Sequence, residues 1–156
     1  MSKKVAVIGL GNTLRRDDGI GVIVLESLLR EYKEEGAVYL NFGSASFGLL
    51  NHIPEYDAVL LIDGINAGLA AGDVKIFELK DVVRVSCDSA LSSHELDLRN
   101  LFELMQALGL TTAVYVAGIQ IQDVSFGEGL TEPLATNLAA IIGTINTFIN
   151  QLLLTS

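Results

Sequence analysis

Short runs of apolar, often β-branched residues alternate along the chain with longer segments in which apolar residues recur at helical spacing. The apolar runs predict five β-strands, over 4–11, 37–42, 58–65, 74–79 and 112–121. The helical periods predict helices over 19–36, 92–109 and 131–154. This alternation is typical of an α/β fold, so we expect a single three-layer domain over 1–156, with a twisted, mostly parallel sheet of about five strands flanked by helices.

The predicted elements carry signals for their environment and their ends. The run at 58–65 is apolar on both faces, which predicts a central strand. Gly36 and Gly109 predict the C-terminal ends of the first two helices, and Thr131 predicts the N-cap of the third. The expected apolar faces comprise Ile20, Ile23, Val24, Leu28 and Tyr32 in the first helix, Leu98, Leu101, Phe102, Met105 and Leu108 in the second, and Leu134, Leu138, Ile141, Ile145, Ile149 and Leu152 in the third.

Composition and charge exclude several classes of function. The chain has 19 acidic and 10 basic residues and a net charge of −9, which repels a phosphate backbone, so we expect no nucleic-acid partner. No stretch reaches about 18 consecutive apolar residues and no cleavage site follows the N-terminus, so we expect a cytoplasmic chain without membrane association. Arg15 and Arg16 adjoin two aspartates and predict a solvated mixed-charge loop. The one cysteine, Cys87, is expected to be a packed thiol.

The segment "GNTLRRDDGIG" (11–21) stands where many α/β proteins bind phosphate. The dinucleotide fingerprint would need a third glycine where Leu14 stands, and Asp17 and Asp18 occupy the approach. Because desolvating a diphosphate beside two carboxylates is strongly unfavourable, the segment favours a cation over a nucleotide.

Carboxyl ends of parallel strands converge in space, so residues there share a neighbourhood. Asp17 and Asp18 follow the first strand, Asp63 lies near the end of the third, and His94 opens a helix. The helix dipole keeps a histidine in the first turn neutral, the form that binds metals. Two carboxylates and an imidazole suit zinc, nickel or iron. Each residue also has a purely structural explanation, because an aspartate before Gly64 can cap a turn and His94 can simply be solvated.

Taken together, these motifs resemble the hydrogenase maturation proteases, the endopeptidases that finish the large subunit of nickel-iron hydrogenases. The resemblance rests on "GLGNTLRRDDGIG" (9–21), "LLIDGINAG" (60–68) and "SSHEL" (92–96), which occur in the family's order over nearly the whole chain. It implies a single α/β domain whose twisted, mostly parallel sheet lies between helices.

The resemblance also implies a site and a reaction. In this family, residues at the positions of Asp18, Asp63 and His94 bind a metal together. Such enzymes recognise nickel already carried by the large-subunit precursor and then remove a short C-terminal peptide. In the isolated protein, zinc or another divalent ion would occupy the site. Some members have glutamate at the position of Asp18, and the division of work between Asp17 and Asp18 stays open. The loop at 43–48 resembles the segment that borders the family's substrate cleft.

Two alternatives come from other classes of protein. A phospho-receiver module also has an acidic pair after its first strand and an aspartate at the position of Asp63, but its chemistry needs a lysine beyond the last strand, and the segment 113–129 contains none. A non-catalytic maturation chaperone that binds the precursor or its metal would be compatible with the same motifs.

Overall fold

A computed structural model describes residues 3–44, 48–84 and 98–155. Five strands form one sheet: β1 (Val5–Leu10), β2 (Ala37–Gly43), β3 (Ala58–Ile65), β4 (Val74–Glu78) and β5 (Ala113–Gln120). Their spatial order is β2-β1-β3-β5-β4, and all neighbours are parallel except β4, which runs antiparallel to β5. The predicted mostly parallel, five-stranded sheet is therefore confirmed.

Helices cover both faces of this sheet. They are α1 (Ile20–Glu31), α2 (Leu49–His52), α3 (Leu98–Ala107) and α4 (Glu132–Leu154), with 3-10 turns at Arg16–Gly19, Ile53–Glu55 and Leu79–Arg84. One buried core lies between the sheet and the pair α1 and α4, and a second lies on the opposite face beneath α2, α3 and the last two 3-10 turns. The protein thus has the three-layer arrangement that the sequence predicts.

The strand alternation explains why the sheet supports two cores. Val5 and Val7 of β1 pack in the α1/α4 core, whereas Ala6 and Ile8 pack in the other. All eight residues of β3 are buried, because β1 and β5 pair with its two edges while helices cover its two faces. The prediction of a central strand at 58–65 is confirmed.

The end of α1 differs from the prediction. The helix stops at Glu31, and the carbonyl oxygen of Leu28 accepts hydrogen bonds from the backbone N–H of both Tyr32 and Lys33, at 2.9 Å each. Lys33 takes the left-handed turn conformation with φ 43°, so the prediction that Gly36 ends the helix is wrong. Tyr32 is 45% exposed and does not belong to the apolar face.

The later helices follow the predictions more closely. Gly109 has φ 70° directly after α3, and Thr131 occupies the N-cap position of α4, so both predicted ends are confirmed. Leu108 is 61% exposed, and its place on the apolar face of α3 is wrong. Residues 92–97 of the predicted second helix lie outside the described residues. The short helical segment at 49–55 has no counterpart among the predictions.

Among the described helices, α4 is long and apolar enough to cross a membrane by length and composition alone. Its apolar content has a different explanation in this fold, because one face of α4 packs against the sheet. The residues buried on that face are Leu134, Ile141, Ile142, Ile145, Asn146, Ile149 and Leu152.

Candidate active site

The candidate site lies at the carboxyl edge of the sheet, where β1, β2, β3 and β5 end. Gly9 of β1 pairs in register with Ile62 of β3, so the end of β1 and Asp63 lie side by side. The 3-10 turn Arg16–Gly19, which we call the acidic turn, contacts β3. The carbonyl oxygen of Asp17 lies 3.5 Å from the place that a Cβ on Gly64 would occupy. The acidic turn therefore packs over the end of β3, next to Asp63.

Glycines make this close packing possible. A Cβ on Gly21 would lie 2.2 Å from the carbonyl oxygens of both Leu10 and Ile62, so the start of α1 is pressed against the ends of β1 and β3. A Cβ on Gly11, which has φ 137°, would lie 2.0 Å from the carbonyl oxygen of Asp18. The glycines of the motif at 11–21 thus serve backbone packing around two acids, rather than contact with a phosphate.

Three carboxylates are buried at this edge, and two of them belong to the predicted metal site. Asp18 is 1% exposed and Asp63 is 4% exposed. The backbone N–H of Asn12 donates a hydrogen bond of 3.1 Å to Oδ2 of Asp18. Burying two like charges in one neighbourhood is costly unless a cation or hydrogen bonds offset it. Carboxylate oxygens are ligands that divalent metals accept, so the residues present fit a cation at this edge.

Asp17 has a different environment from Asp18, although the two are adjacent in sequence. Its carboxylate is fully buried and accepts four hydrogen bonds from the loop between β5 and α4 (121–131, the β5–α4 loop). The donors are the backbone N–H groups of Gln122, Asp123 and Thr131 and the hydroxyl of Thr131, at 2.7–3.1 Å. These donors occupy both oxygens, so the geometry assigns Asp17 a structural role.

The side chains of Arg15 and Arg16 contact the same loop. Nε of Arg15 donates to the carbonyl oxygen of Val124 at 2.9 Å, and its guanidinium lies 5.4 Å from the ring centroid of Phe126. Nε of Arg16 lies 3.9 Å from Oδ2 of Asp123. Hydrogen bonds from the hydroxyl and N–H of Ser125 hold the pKa of Asp123 below its ordinary value, and the charge of Arg16 adds to this effect.

The sequence analysis did not identify one further buried polar residue at this edge, Gln120. Its Oε1 accepts hydrogen bonds from the N–H groups of Ala67 and Leu69, and its Nε2 donates to Oδ1 of Asn66 and the carbonyl oxygen of Ile121. Gln120 therefore fixes the loop that follows β3. The signal available in the sequence was a lone polar residue in the apolar run of β5.

The structure places two of the three predicted metal ligands. Asp18 and Asp63 share the carboxyl edge, whereas His94, together with Cys87, lies outside the described residues. Within 3–44, 48–84 and 98–155, no group of three or more His, Cys, Asp or Glu side chains that could hold a metal is present. The trio of Asp18, Asp63 and His94 therefore stays a prediction.

Comparison with known proteins identifies the family. The family model for hydrogenase maturation protease (HycI) matches residues 22–147, which is more than half of the chain. The chain belongs to the hydrogenase maturation protease family. The matched segment contains Asp63 and His94 and begins just after the acidic turn, so the assignment of Asp18 depends on the local motif.

Relatives of this hydrogenase maturation protease include hydrogenase expression/formation proteins. HupM of Azotobacter chroococcum mcd 1 is 26% identical over 88% of the chain and 67% of its own length. HupD of Bradyrhizobium diazoefficiens is 28% identical over 89% of the chain and 74% of its own length. The chain thus spans about two thirds to three quarters of the length of these curated relatives.

Solved structures confirm the fold. The hydrogenase maturating endopeptidase HybD from E. coli superposes with a TM-score of 0.80 at 22% identity, covering 95% of this chain and 93% of that chain. The [NiFe] hydrogenase maturation protease HycI from Thermococcus kodakarensis KOD1 gives a TM-score of 0.70 at 24% identity, covering 99% and 94%. The single α/β domain is therefore that of the hydrogenase maturation proteases.

Proposed function

We propose that this hydrogenase maturation protease removes a short C-terminal peptide from the nickel-loaded large-subunit precursor of a nickel-iron hydrogenase, in the cytoplasm. The observation that carries the proposal is the burial of Asp18 and Asp63 at one edge of the sheet, with the neighbouring Asp17 engaged by the protein itself. The family supports a role in processing, and HybD from E. coli, which has a similar fold, is a hydrogenase maturating endopeptidase.

The electrostatics of the edge supports recognition of a metal-loaded precursor. Two buried carboxylates attract a divalent ion strongly, because the low dielectric constant of the protein interior strengthens the attraction between opposite charges. A nickel ion already held by the precursor would bring that charge to Asp18 and Asp63, and His94 would add a nitrogen ligand. A precursor without nickel lacks this attraction, so the site would distinguish loaded from empty substrate.

The same residues offer the groups that peptide hydrolysis needs. The substrate's nickel would act as a Lewis acid towards the scissile carbonyl or as a recognition element alone. A carboxylate, Asp18 or Asp63, would accept a proton from the attacking water as it adds to the carbonyl carbon. That proton then passes to the leaving amine as the C–N bond breaks, and the new carboxyl end stays on the large subunit.

The test combines the purified protein with nickel-loaded and nickel-free precursor and follows the mass of the large subunit. We expect tail removal from the loaded precursor alone. Asp18→Asn and His94→Ala should abolish it while circular dichroism shows an intact fold. Asp57→Asn, which removes an exposed charge at the opposite edge of the sheet, is the matched control and should cleave at the wild-type rate.

Two outcomes would contradict the proposal. Wild-type cleavage rates in Asp18→Asn and His94→Ala would remove these residues from the reaction. Stoichiometric binding of the precursor without loss of its tail would favour the maturation chaperone. Membership of the protease family already favours proteolysis over the phospho-receiver alternative.

A further inference from the structure

We propose that Asp17 is the positioning residue of the site, because its carboxylate fastens the acidic turn to the β5–α4 loop and thereby fixes the place of Asp18. This inference rests on the proposed function, in which Asp18 contacts the metal or the attacking water. The two adjacent aspartates thus have separate roles: Asp17 binds the protein's own loop, and Asp18 faces the substrate.

The acidic turn and the β5–α4 loop run side by side as a short parallel seam. The backbone N–H of Asp17 donates to the carbonyl oxygen of Asp123, and that of Arg16 donates to the carbonyl oxygen of Gly127, at 3.0 Å each. The N–H of Gly127 in turn donates to the carbonyl oxygen of Leu14 at 2.9 Å. The two segments are therefore joined by backbone bonds near the protein surface, where water competes for the same groups.

The carboxylate of Asp17 also joins the two segments, through hydrogen bonds on the buried side of the seam. Three of its four donors are backbone N–H groups, and the fourth is the hydroxyl of Thr131. Hydrogen bonds to a charged acceptor are about twice as strong as neutral ones. Thr131 is also the N-cap position of α4, so a negative charge here interacts favourably with the N-terminal end of that helix.

The donor set explains why the residue is an aspartate. All four partners donate, so the side chain must present acceptors on both of its oxygens. An asparagine has the same size but would turn an NH₂ group towards N–H or O–H donors. Asp17→Asn therefore breaks the attachment without creating a cavity.

The attachment reaches Asp18 through a single peptide link in a tight turn. On the other side, the backbone of Asp18 lies against Gly11 at the end of β1, and the N–H of Asn12 donates to its side chain. Asp18 is thus held on one side by the end of β1 and on the other side by Asp17, which is hydrogen-bonded to the β5–α4 loop. Releasing Asp17 lets the turn move away from β1, and displacements of about 1 Å at a reacting group cost about 10²-fold in rate.

The decisive experiment measures kcat and KM for tail removal by Asp17→Asn. We expect a loss of about 10- to 100-fold, the usual effect of removing a partner that orients a metal ligand. The loss should fall on the same parameter, kcat or KM, that Asp18→Glu changes. The stability-matched control is Asn146→Ala, which removes a buried polar side chain near the opposite edge of the sheet, and it should retain the wild-type kcat and KM.

A second pair of variants keeps the test valid if Asp17→Asn does not fold. Thr131→Val removes one of the four donors and keeps the shape of the side chain, whereas Thr131→Ser restores the hydroxyl. We expect Thr131→Val to lose several-fold in the affected parameter and Thr131→Ser to recover it. Equal rates in the two Thr131 variants, or a wild-type rate in folded Asp17→Asn, would overturn the inference.

Failure of the inference can be told apart from failure of the proposed function. A wild-type protein that leaves the tail on the nickel-loaded precursor refutes both. A wild-type protein that cleaves, and that loses cleavage with Asp18→Asn but not with Asp17→Asn, refutes the positioning role alone.

Discussion

In the described part of the chain, buried carboxylates lie at the carboxyl edge of the sheet and none lies at the amino edge. At the carboxyl edge, Asp17, Asp18, Asp63 and Gln120 are buried, and they make up four of the six buried polar or charged side chains in the described part of the chain. At the amino edge, the backbone N–H of Lys4 donates to an oxygen of Asp57 at 2.7 Å, in an exposed contact.

This difference shows where the protein accepts an energetic cost. Burying a carboxylate is unfavourable unless partners offset it, and such groups are concentrated where a fold carries chemistry. Exposed polar contacts like the one at the amino edge contribute little to stability. Of the two edges, the carboxyl edge is therefore the better candidate for a functional site.

The sharpest test of the comparison uses the two ends of β3, with Asp63 near its carboxyl end and Asp57 just before its start. Asp63→Asn should lower the rate of tail removal by about 10²- to 10⁴-fold, because it removes a candidate ligand or general base. Asp57→Asn keeps an acceptor for the N–H of Lys4 and should cleave at the wild-type rate. Equal losses in both variants, measured by the mass shift of the precursor, would break the functional contrast between the edges.

A second prediction concerns packing at the carboxyl edge. Gly21→Ala should lower the free energy of unfolding by more than about 3 kcal/mol, since its Cβ would lie 2.2 Å from the carbonyl oxygens of Leu10 and Ile62. Gly143→Ala, in α4 with open space around the new methyl group, should raise it by about 0.5–1 kcal/mol. Urea unfolding followed by circular dichroism measures both values. A stable Gly21→Ala protein would show that α1 can move away from the strand ends.

A smaller effect is expected at the amino edge. Asp57→Ala removes the acceptor for the N–H of Lys4 and should lower the free energy of unfolding by about 1 kcal/mol or less, because the contact is exposed. Its kcat should stay at the wild-type value. A loss of several kcal/mol in urea unfolding would mean that the amino edge depends on polar contacts as heavily as the carboxyl edge does.

The smallest expected effect is a pH dependence of the free energy of unfolding, which arises from Asp123 at the rim of the site. The pKa of Asp123 is lowered in the folded protein from its ordinary 3.8, chiefly by hydrogen bonds from Ser125. A carboxyl group of lowered pKa contributes stability above its unfolded pKa and loses it as the pH falls through the folded pKa. Asp123→Asn should therefore be slightly less stable than wild type near neutral pH, with the gap closing below about pH 4. Urea midpoints at several pH values report this, and a constant gap would contradict it.

Much of the fold could be predicted from the sequence because local pattern and tertiary burial agree there. The strand β3 is bounded as the apolar run 58–65 predicts, since burial on both faces demands continuous apolar residues. The start of α4 agrees as well, because Thr131 and Pro133 are local signals. The predicted end of α1 was wrong because Lys33 adopts the left-handed conformation that glycine usually adopts after a helix.

The division of labour at the site could not be predicted in the same way. Asp17 and Asp18 are identical residues side by side, and what separates them is the set of donors that reaches Asp17 from 105–114 positions further along the chain. No local pattern encodes such contacts. The role of His94 and the extent of one domain over 1–156 stay predictions, since 85–97 lie outside the described residues.

The distant partners of Asp17 also constrain the order in which the molecule can be assembled. During synthesis the N-terminal strands emerge first, but the donors of Gln122, Asp123 and Thr131 emerge only with the last part of the chain. Until then the carboxylate of Asp17 lacks these donors. The attachment of the acidic turn to the β5–α4 loop therefore cannot form before residues 122–131 have left the ribosome.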